Sequence, residues 1–220
     1  MAGAIAASGR LIAVDGTRGK DTAAAADAIA GALAERGIEC AISRFDASGL
    51  FGELAVARDD QPMSVRTLTL IYAADLAFRL RWEIRPLLES RRVVIAAPYV
   101  DTAVAFGAGC GLPEHWIANL LRFAPPPQLR GRAVERKHSK GWRARLDRGY
   151  AEYCAALLDR SPPEFANAAA REEAIACLGR RHRSAYRLSE RGVRQLADDV
   201  RDSSTAARRG SRERSRSARR

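Results

Sequence analysis

The stretch Asp15-Gly16-Thr17-Arg18-Gly19-Lys20-Asp21-Thr22 places two glycines, two cations and two hydroxyls directly after the apolar run Leu11 to Val14. Where a strand turns into a helix, backbone N–H groups and the helix N-terminus can cradle phosphate oxygens, and a lysine can neutralise their charge. The spacing that does this is G-x-x-x-x-G-K-[ST], and the stretch departs from it in either register. Counted from Gly16, the second glycine falls on Asp21, the lysine on Thr22 and the hydroxyl on Ala23. Counted from the Gly19-Lys20 pair, the first glycine falls on Val14 and the hydroxyl on Asp21. Phosphate binding is one reading of this loop, and a tight turn that caps a helix without a ligand is the other.

The elements that must position such a loop can be read from hydrophobic pattern. Residues 10–16 form a short apolar run stopped by Asp-Gly, as a buried strand would be. The Ala-rich residues 22–36 follow as a helix with Gly37 at its C-terminal cap. Residues 39–45 alternate as a strand, residues 65–90 carry apolar positions near 3.6 spacing, and residues 91–99 make the most hydrophobic strand. Alternating strands and helices with continuous apolar strands predict a parallel sheet covered on both faces. Residues 116–123, 148–158, 171–183 and 187–200 read as further helices. No β-branched run between Pro125 and Leu146 suggests a fourth strand, and residues 163–170 make a poor fifth, so the sheet is expected to be truncated or irregular in its C-terminal half.

Composition narrows the class. The chain has 220 residues and a net charge of +11, with 47% hydrophobic residues, which suits one globular domain and excludes wholesale disorder. No apolar run approaches the roughly 20 residues needed to span a bilayer, so no membrane partner is expected. Met1 to Ser8 lacks a basic n-region and runs straight into the first strand, unlike a signal peptide. The four cysteines, Cys40, Cys110, Cys154 and Cys177, include no CxxC pair, which excludes a zinc ribbon and disfavours a disulfide scaffold. A cytoplasmic protein is the expectation. His115, His138 and His182 show no metal-ligand spacing, so no metal site is expected and surface roles are assigned to them.

Two segments concentrate the positive charge. Residues 201–220 hold eight arginines against Asp202 and Glu213, net +6, with no aromatic or large aliphatic residue. Such a segment cannot bury enough surface to offset its ordering entropy and is read as a disordered Arg/Ser-rich tail after a domain at 1–200. Residues 130–148 carry another +6, but Trp142, Val134 and Leu146 are interleaved, so this block belongs with the folded part.

Beyond the loop, several stretches resemble thymidylate kinases, a branch of the P-loop nucleoside monophosphate kinases. Leu11 to Gly16 is similar to that family's first strand ending in Glu-Gly. Glu35-Arg36-Gly37, followed by the strand to Arg44-Phe45, resembles its ERG…TRFP segment. Thr67 to Leu88 resembles LLxAADxAxxxxxxIxPAL, Val93 to Gly107 resembles VVxxDRYxxTAxAxxG, and Gly111 to Pro126 resembles GxxxxWxxxLxxFAPxP. The likeness covers about residues 10–127. It implies a P-loop NTPase-like α/β fold with a five-stranded parallel sheet flanked by helices, and transfer of the γ-phosphoryl of ATP, with magnesium, to dTMP.

The resemblance also selects the register of the loop. Gly16 to Gly37 reproduces the family's separation without a gap, which puts Thr22 at the lysine position. The departures go further: Ala97 and Pro98 stand at the Asp and Arg of DRY, with Tyr99 kept, and Leu76 stands at the phosphate-binding arginine of AADR, with Asp75 kept. Arg79, one turn along the same helix face, could take that arginine's place. The resemblance thus implies a phosphate loop of Gly16, Thr17, Arg18, Gly19, Lys20, Asp21 and Thr22, and a nucleoside monophosphate pocket of Arg44, Phe45, Asp75, Arg79, Tyr99, Asp101 and Thr102. It places a lid at about 128–148 with Arg132, Arg136, Lys137 and Arg145, and catalytic cations at Arg18, Lys20 and Arg143. Helices of the kind at 65–90 often join such kinases into homodimers.

Magnitude favours an impaired enzyme. An aspartate in an anion nest turns attraction into repulsion, and one charge pair at about 4 Å and a dielectric of about 20 is worth about 4 kcal/mol, or about a thousandfold in rate. The expected function is a thymidylate kinase-like protein, weak or inactive as a kinase and kept for binding or regulation, with neither ATP nor magnesium bound if the loop is inactive. One alternative is an active kinase that uses ATP, magnesium and dTMP through Arg18, Lys20 and the lid arginines. A third reading is a nucleic-acid-associated protein that binds weakly and without sequence preference through its tail, which lacks the aromatics that base stacking needs.

Overall fold

A computed structural model of the chain describes residues 9–17, 19–45, 47, 64–134, 168–183 and 185–217. Among them, five strands form one all-parallel sheet: β1 (Arg10–Asp15), β2 (Cys40–Arg44), β3 (Val93–Ala97), β4 (Leu129–Ala133) and β5 (Tyr186–Leu188), in the order β2-β3-β1-β4-β5. The helices are α1 (Gly19–Ala34), α2 (Val65–Arg79), α3 (Arg85–Glu89), α4 (Val100–Gly109), α5 (Glu114–Leu120), α6 (Ala168–Arg181) and α7 (Glu190–Ser217). A π-helical turn, Leu80–Ile84, joins α2 to α3. This is the P-loop NTPase-like α/β arrangement that the resemblance implies.

Pleating sends alternate side chains of β1 to opposite faces. Leu11 and Ala13 enter a core with Leu68, Tyr72, Leu76 and Val104, while Ile12 and Val14 enter another with Ile29, Leu33, Leu196 and Val200. β1 is apolar from Leu11 to Val14 because it is covered on both sides. It is also flanked on both edges, by β3 (Ile12 opposite Ile95) and by β4 (Ala13 opposite Arg130). The cap of α2 is Ser64, whose hydroxyl accepts from Thr67 N at 3.1 Å. Gly37, at φ +67°, ends the turn after α1 in the left-handed conformation that glycine adopts without steric cost.

Three expectations are corrected. The sheet is not truncated, because Leu-Arg-Gly-Arg-Ala is its fourth strand and Tyr186–Leu188 its fifth. β4 lacks β-branched residues because its middle must be small: a Cβ at Gly131 would stand 2.6 Å from Leu188 Cδ1. Arg132, expected in a lid, is a residue of β4, and residues 186–188, expected in part as helix, are strand. The last helix continues through Ser217, where composition predicts an unfolded tail. It propagates from a first half anchored by buried Val193, Leu196, Ala197 and Val200, and its Ala and Arg are good helix formers. Among the described residues no helix is long and apolar enough to cross a membrane.

Candidate functional site

The C-terminal ends of β1 and β3 meet the start of α4, and there the side chain of Asp15 is held in place. Its Oδ1 accepts from the backbone N–H of Tyr99 (2.9 Å), from that of Thr102 (2.9 Å) and from the Thr102 hydroxyl (2.7 Å). The same hydroxyl accepts from Gly16 N at 3.1 Å, which ties the loop after β1 to the first turn of α4. Thr102 is therefore an internal brace, 3% exposed, between β1 and α4.

Asp101 lies beside it at 4% exposure. Arg181 Nε donates to its Oδ1 at 2.6 Å and Arg130 Nη1 to its Oδ2 at 3.1 Å. His182, at the end of α6, places Nε2 2.9 Å from Asp101 Oδ2 and 3.7 Å from Asp15 Oδ2. Asp15 Oδ2 and both ring nitrogens of His182 are buried and make no hydrogen bond among the described residues. Burial, and then the neighbouring Asp101 charge, push the Asp15 carboxyl above the usual carboxylate range. Burial also opposes ionisation of Asp101, but His182 and Arg181 outweigh it and hold that carboxyl below its ordinary value.

The loop expected to bind phosphate is short. β1 ends at Asp15 and α1 begins at Gly19, three residues before the helix start expected from sequence. Asp21 and Thr22 are thus wound into the first turn, 8% and 1% exposed. A Cβ at Gly16 would stand 2.7 Å from Thr22 Oγ1, so the threonine packs directly over the loop glycine. Thr17 lines a cavity of about 460 Å³ with Arg132, Arg187, Ile175 and His182. A smaller cavity of about 190 Å³ opens beside Tyr99, Asp101, Arg130 and Arg181.

The residues expected in the monophosphate pocket divide into groups. Arg79 is fully buried: Nε donates to Asp75 Oδ2 at 2.9 Å and Nη1 to the Pro98 carbonyl at 3.1 Å, while Nη2 makes no hydrogen bond among the described residues. Phe45 stacks on Tyr72 with ring centroids 5.5 Å apart, and the Tyr72 hydroxyl donates to the Tyr99 carbonyl at 2.6 Å. Burial raises both tyrosine hydroxyls above their ordinary pKa. Arg44 points outward to Asp27, 48% exposed. Arg18, Arg136, Lys137, Arg143 and Arg145 lie outside the described residues, as does the side chain of Lys20. Sequence reasoning missed His182, Arg181 and Arg187. The run Arg180-Arg181-His182-Arg183 looks like a solvated surface, and nothing local to it signals that its histidine turns inward.

No family model matches the chain. It is 28% identical over 131 residues to the "probable thymidylate kinase" of Thermococcus gammatolerans, a match covering 55% of this chain and 63% of that protein. It is 27% identical over 128 residues to that of Pyrococcus abyssi, covering 55% and 62%. To the thymidylate kinase of Lactiplantibacillus plantarum it is 28% identical over 123 residues, covering 53% and 56%. The chain is thymidylate kinase-like. The matched part spans 56–63% of those relatives' own length.

In thymidylate kinase-like terms, the positions that would hold magnesium do not suit it. The hydroxyl position is Ala23 and the carboxylate position is Ala97, neither of which has a side-chain oxygen. Magnesium favours oxygen ligands, and neither alanine supplies one.

Proposed function

We propose that this thymidylate kinase-like chain binds nucleotide weakly and transfers phosphate slowly or not at all, its fold being kept for binding or regulation. The observation that carries the reading is the start of α1 at Gly19, with Asp21 and Thr22 buried in its first turn. A phosphate cradle needs a run of free backbone N–H groups and a cation reaching into it. In this chain helix replaces part of that run, and a carboxylate and a hydroxyl stand where glycine and lysine would.

Phosphoryl transfer depends almost wholly on positioning and charge neutralisation, so these losses fall on the terms that matter. What the chain keeps is a monophosphate side: the stacked Phe45–Tyr72 pair and Arg79, whose Nη2 is a spare donor. This supports retained affinity for a nucleoside monophosphate such as dTMP with loss of affinity for ATP.

Calorimetric titration with dTMP, and with ATP and magnesium, tests this reading. Binding of dTMP and no saturable ATP binding below millimolar concentration is expected. Restoring the loop with Asp21→Gly, Thr22→Lys and Ala23→Thr should raise ATP affinity. Saturable ATP binding by the natural chain, with turnover near the ordinary kinase range of about 1–100 per second, would refute it.

A further inference from the structure

Asp15, Asp101 and His182 come from three elements: the end of β1, the first turn of α4 and the end of α6. One ligand atom from each lies within 4.8 Å of the other two, and all three residues are buried. Two features separate this cluster from an ordinary ion-pair network. Asp15 Oδ2 is turned toward His182 and carries no hydrogen bond among the described residues, although Oδ1 of the same carboxylate carries three. His182 Nε2 also lacks a hydrogen bond of acceptable angle, although it stands 2.9 Å from Asp101 Oδ2. Leaving a buried charged acceptor unsatisfied is costly, so two orphaned donor atoms facing one another point to a cation between them.

We propose that Asp15, Asp101 and His182 form a binding site for a divalent first-row transition-metal ion of the zinc class. Ions of this class take imidazole nitrogen and carboxylate oxygen at about 2.0–2.2 Å, which puts neighbouring ligand atoms about 3–4 Å apart. The observed 2.9 and 3.7 Å lie close enough to that range for small side-chain movements to close the shell. The imidazole argues against magnesium and calcium, which prefer oxygen alone. Asp101 is also oriented from outside the cluster, by Arg181 on Oδ1 and Arg130 on Oδ2, as ligating carboxylates commonly are. His182 lines the larger cavity and Asp101 the smaller, so the cluster lies between the two. The site uses none of the loop residues on which the proposed nucleotide chemistry depends.

The test uses the full chain, stripped with chelator, and needs no nucleotide. Titration with zinc chloride should show one equivalent bound, with affinity at least tenfold weaker in His182→Gln and in Asp101→Asn and unchanged in Cys177→Ser. Cobalt(II) on the natural chain should show the visible bands of a nitrogen–oxygen site and no thiolate charge-transfer band, a readout that needs no variant to fold. Absence of saturable zinc binding, binding that survives His182→Gln, or a thiolate band would each overturn the proposal.

Discussion

Replacing Arg79 with methionine tests whether its guanidinium is a strut of the fold or only a ligand-facing group. Both partners of the Arg79–Asp75 pair have side chains 0% exposed, at 2.9 Å. Removing one partner of such a pair costs about 3–5 kcal/mol, because the other charge stays behind in the interior. The Pro98 carbonyl loses its donor too, at about 1 kcal/mol. Against a typical stability of about 5–15 kcal/mol, a loss of about 4 kcal/mol is a large share. For a chain of this size it lowers the unfolding midpoint by about 8–16 °C. Urea unfolding of Arg79→Met followed by circular dichroism measures it directly. The double variant Asp75→Leu/Arg79→Met removes both charges, and apolar replacement of a whole buried pair is often nearly neutral, so it should recover most of the loss. A cost below about 1 kcal/mol for Arg79→Met, or a double variant no better than the single, would refute the reasoning.

Two further outcomes are expected. Alanine at Gly192 should damage the fold more than alanine at Gly131, since a Cβ at Gly192 overlaps the backbone carbonyl oxygen of Arg187, whereas at Gly131 it crowds the side chain of Leu188 and no backbone atom among its three nearest; thermal unfolding of the two variants gives the order. The Arg180 bond holds the Glu114 carboxyl below its ordinary pKa, and the Arg36 bond does the same for Asp198. That stability is present above the unfolded-state values and fades as pH falls below about 4 through the folded ones, so Arg180→Gln and Arg36→Gln should flatten the acid limb of a midpoint–pH curve.

The parts of the fold legible in the sequence were those with local signatures. β1 and β3 announce themselves because they are buried on both faces and read as unbroken apolar runs, Leu11 to Val14 and Val93 to Ala97. β4 hides because a central strand of Leu-Arg-Gly-Arg-Ala has its small residue imposed by Leu188, which lies far along the chain. β5 is three residues long and offers no period to count. The start of α1 was misjudged because glycine, lysine and aspartate at 19–21 read as loop chemistry by residue type, yet they are wound into helix. Of the site, Asp15 was seen only as a turn residue, and His182 could not be found at all. Its place depends on α6 ending against β1 and α4, and no spacing in the chain records that meeting.

The order β2-β3-β1-β4-β5 has a consequence for the chain as it is made. β4 is complete at Ala133, but the strand that covers its outer edge begins only at Tyr186, about fifty residues later. At about 5–20 residues per second the ribosome needs some 3–10 s to deliver it. Throughout that interval a nascent chain that has already assembled β1, β3 and β4 offers a bare row of N–H and C=O groups, the kind of edge on which other chains pair. The arginines on either side of Gly131 are then not only site residues. They are charges on a temporary edge, and they repel a second nascent copy until β5 closes it.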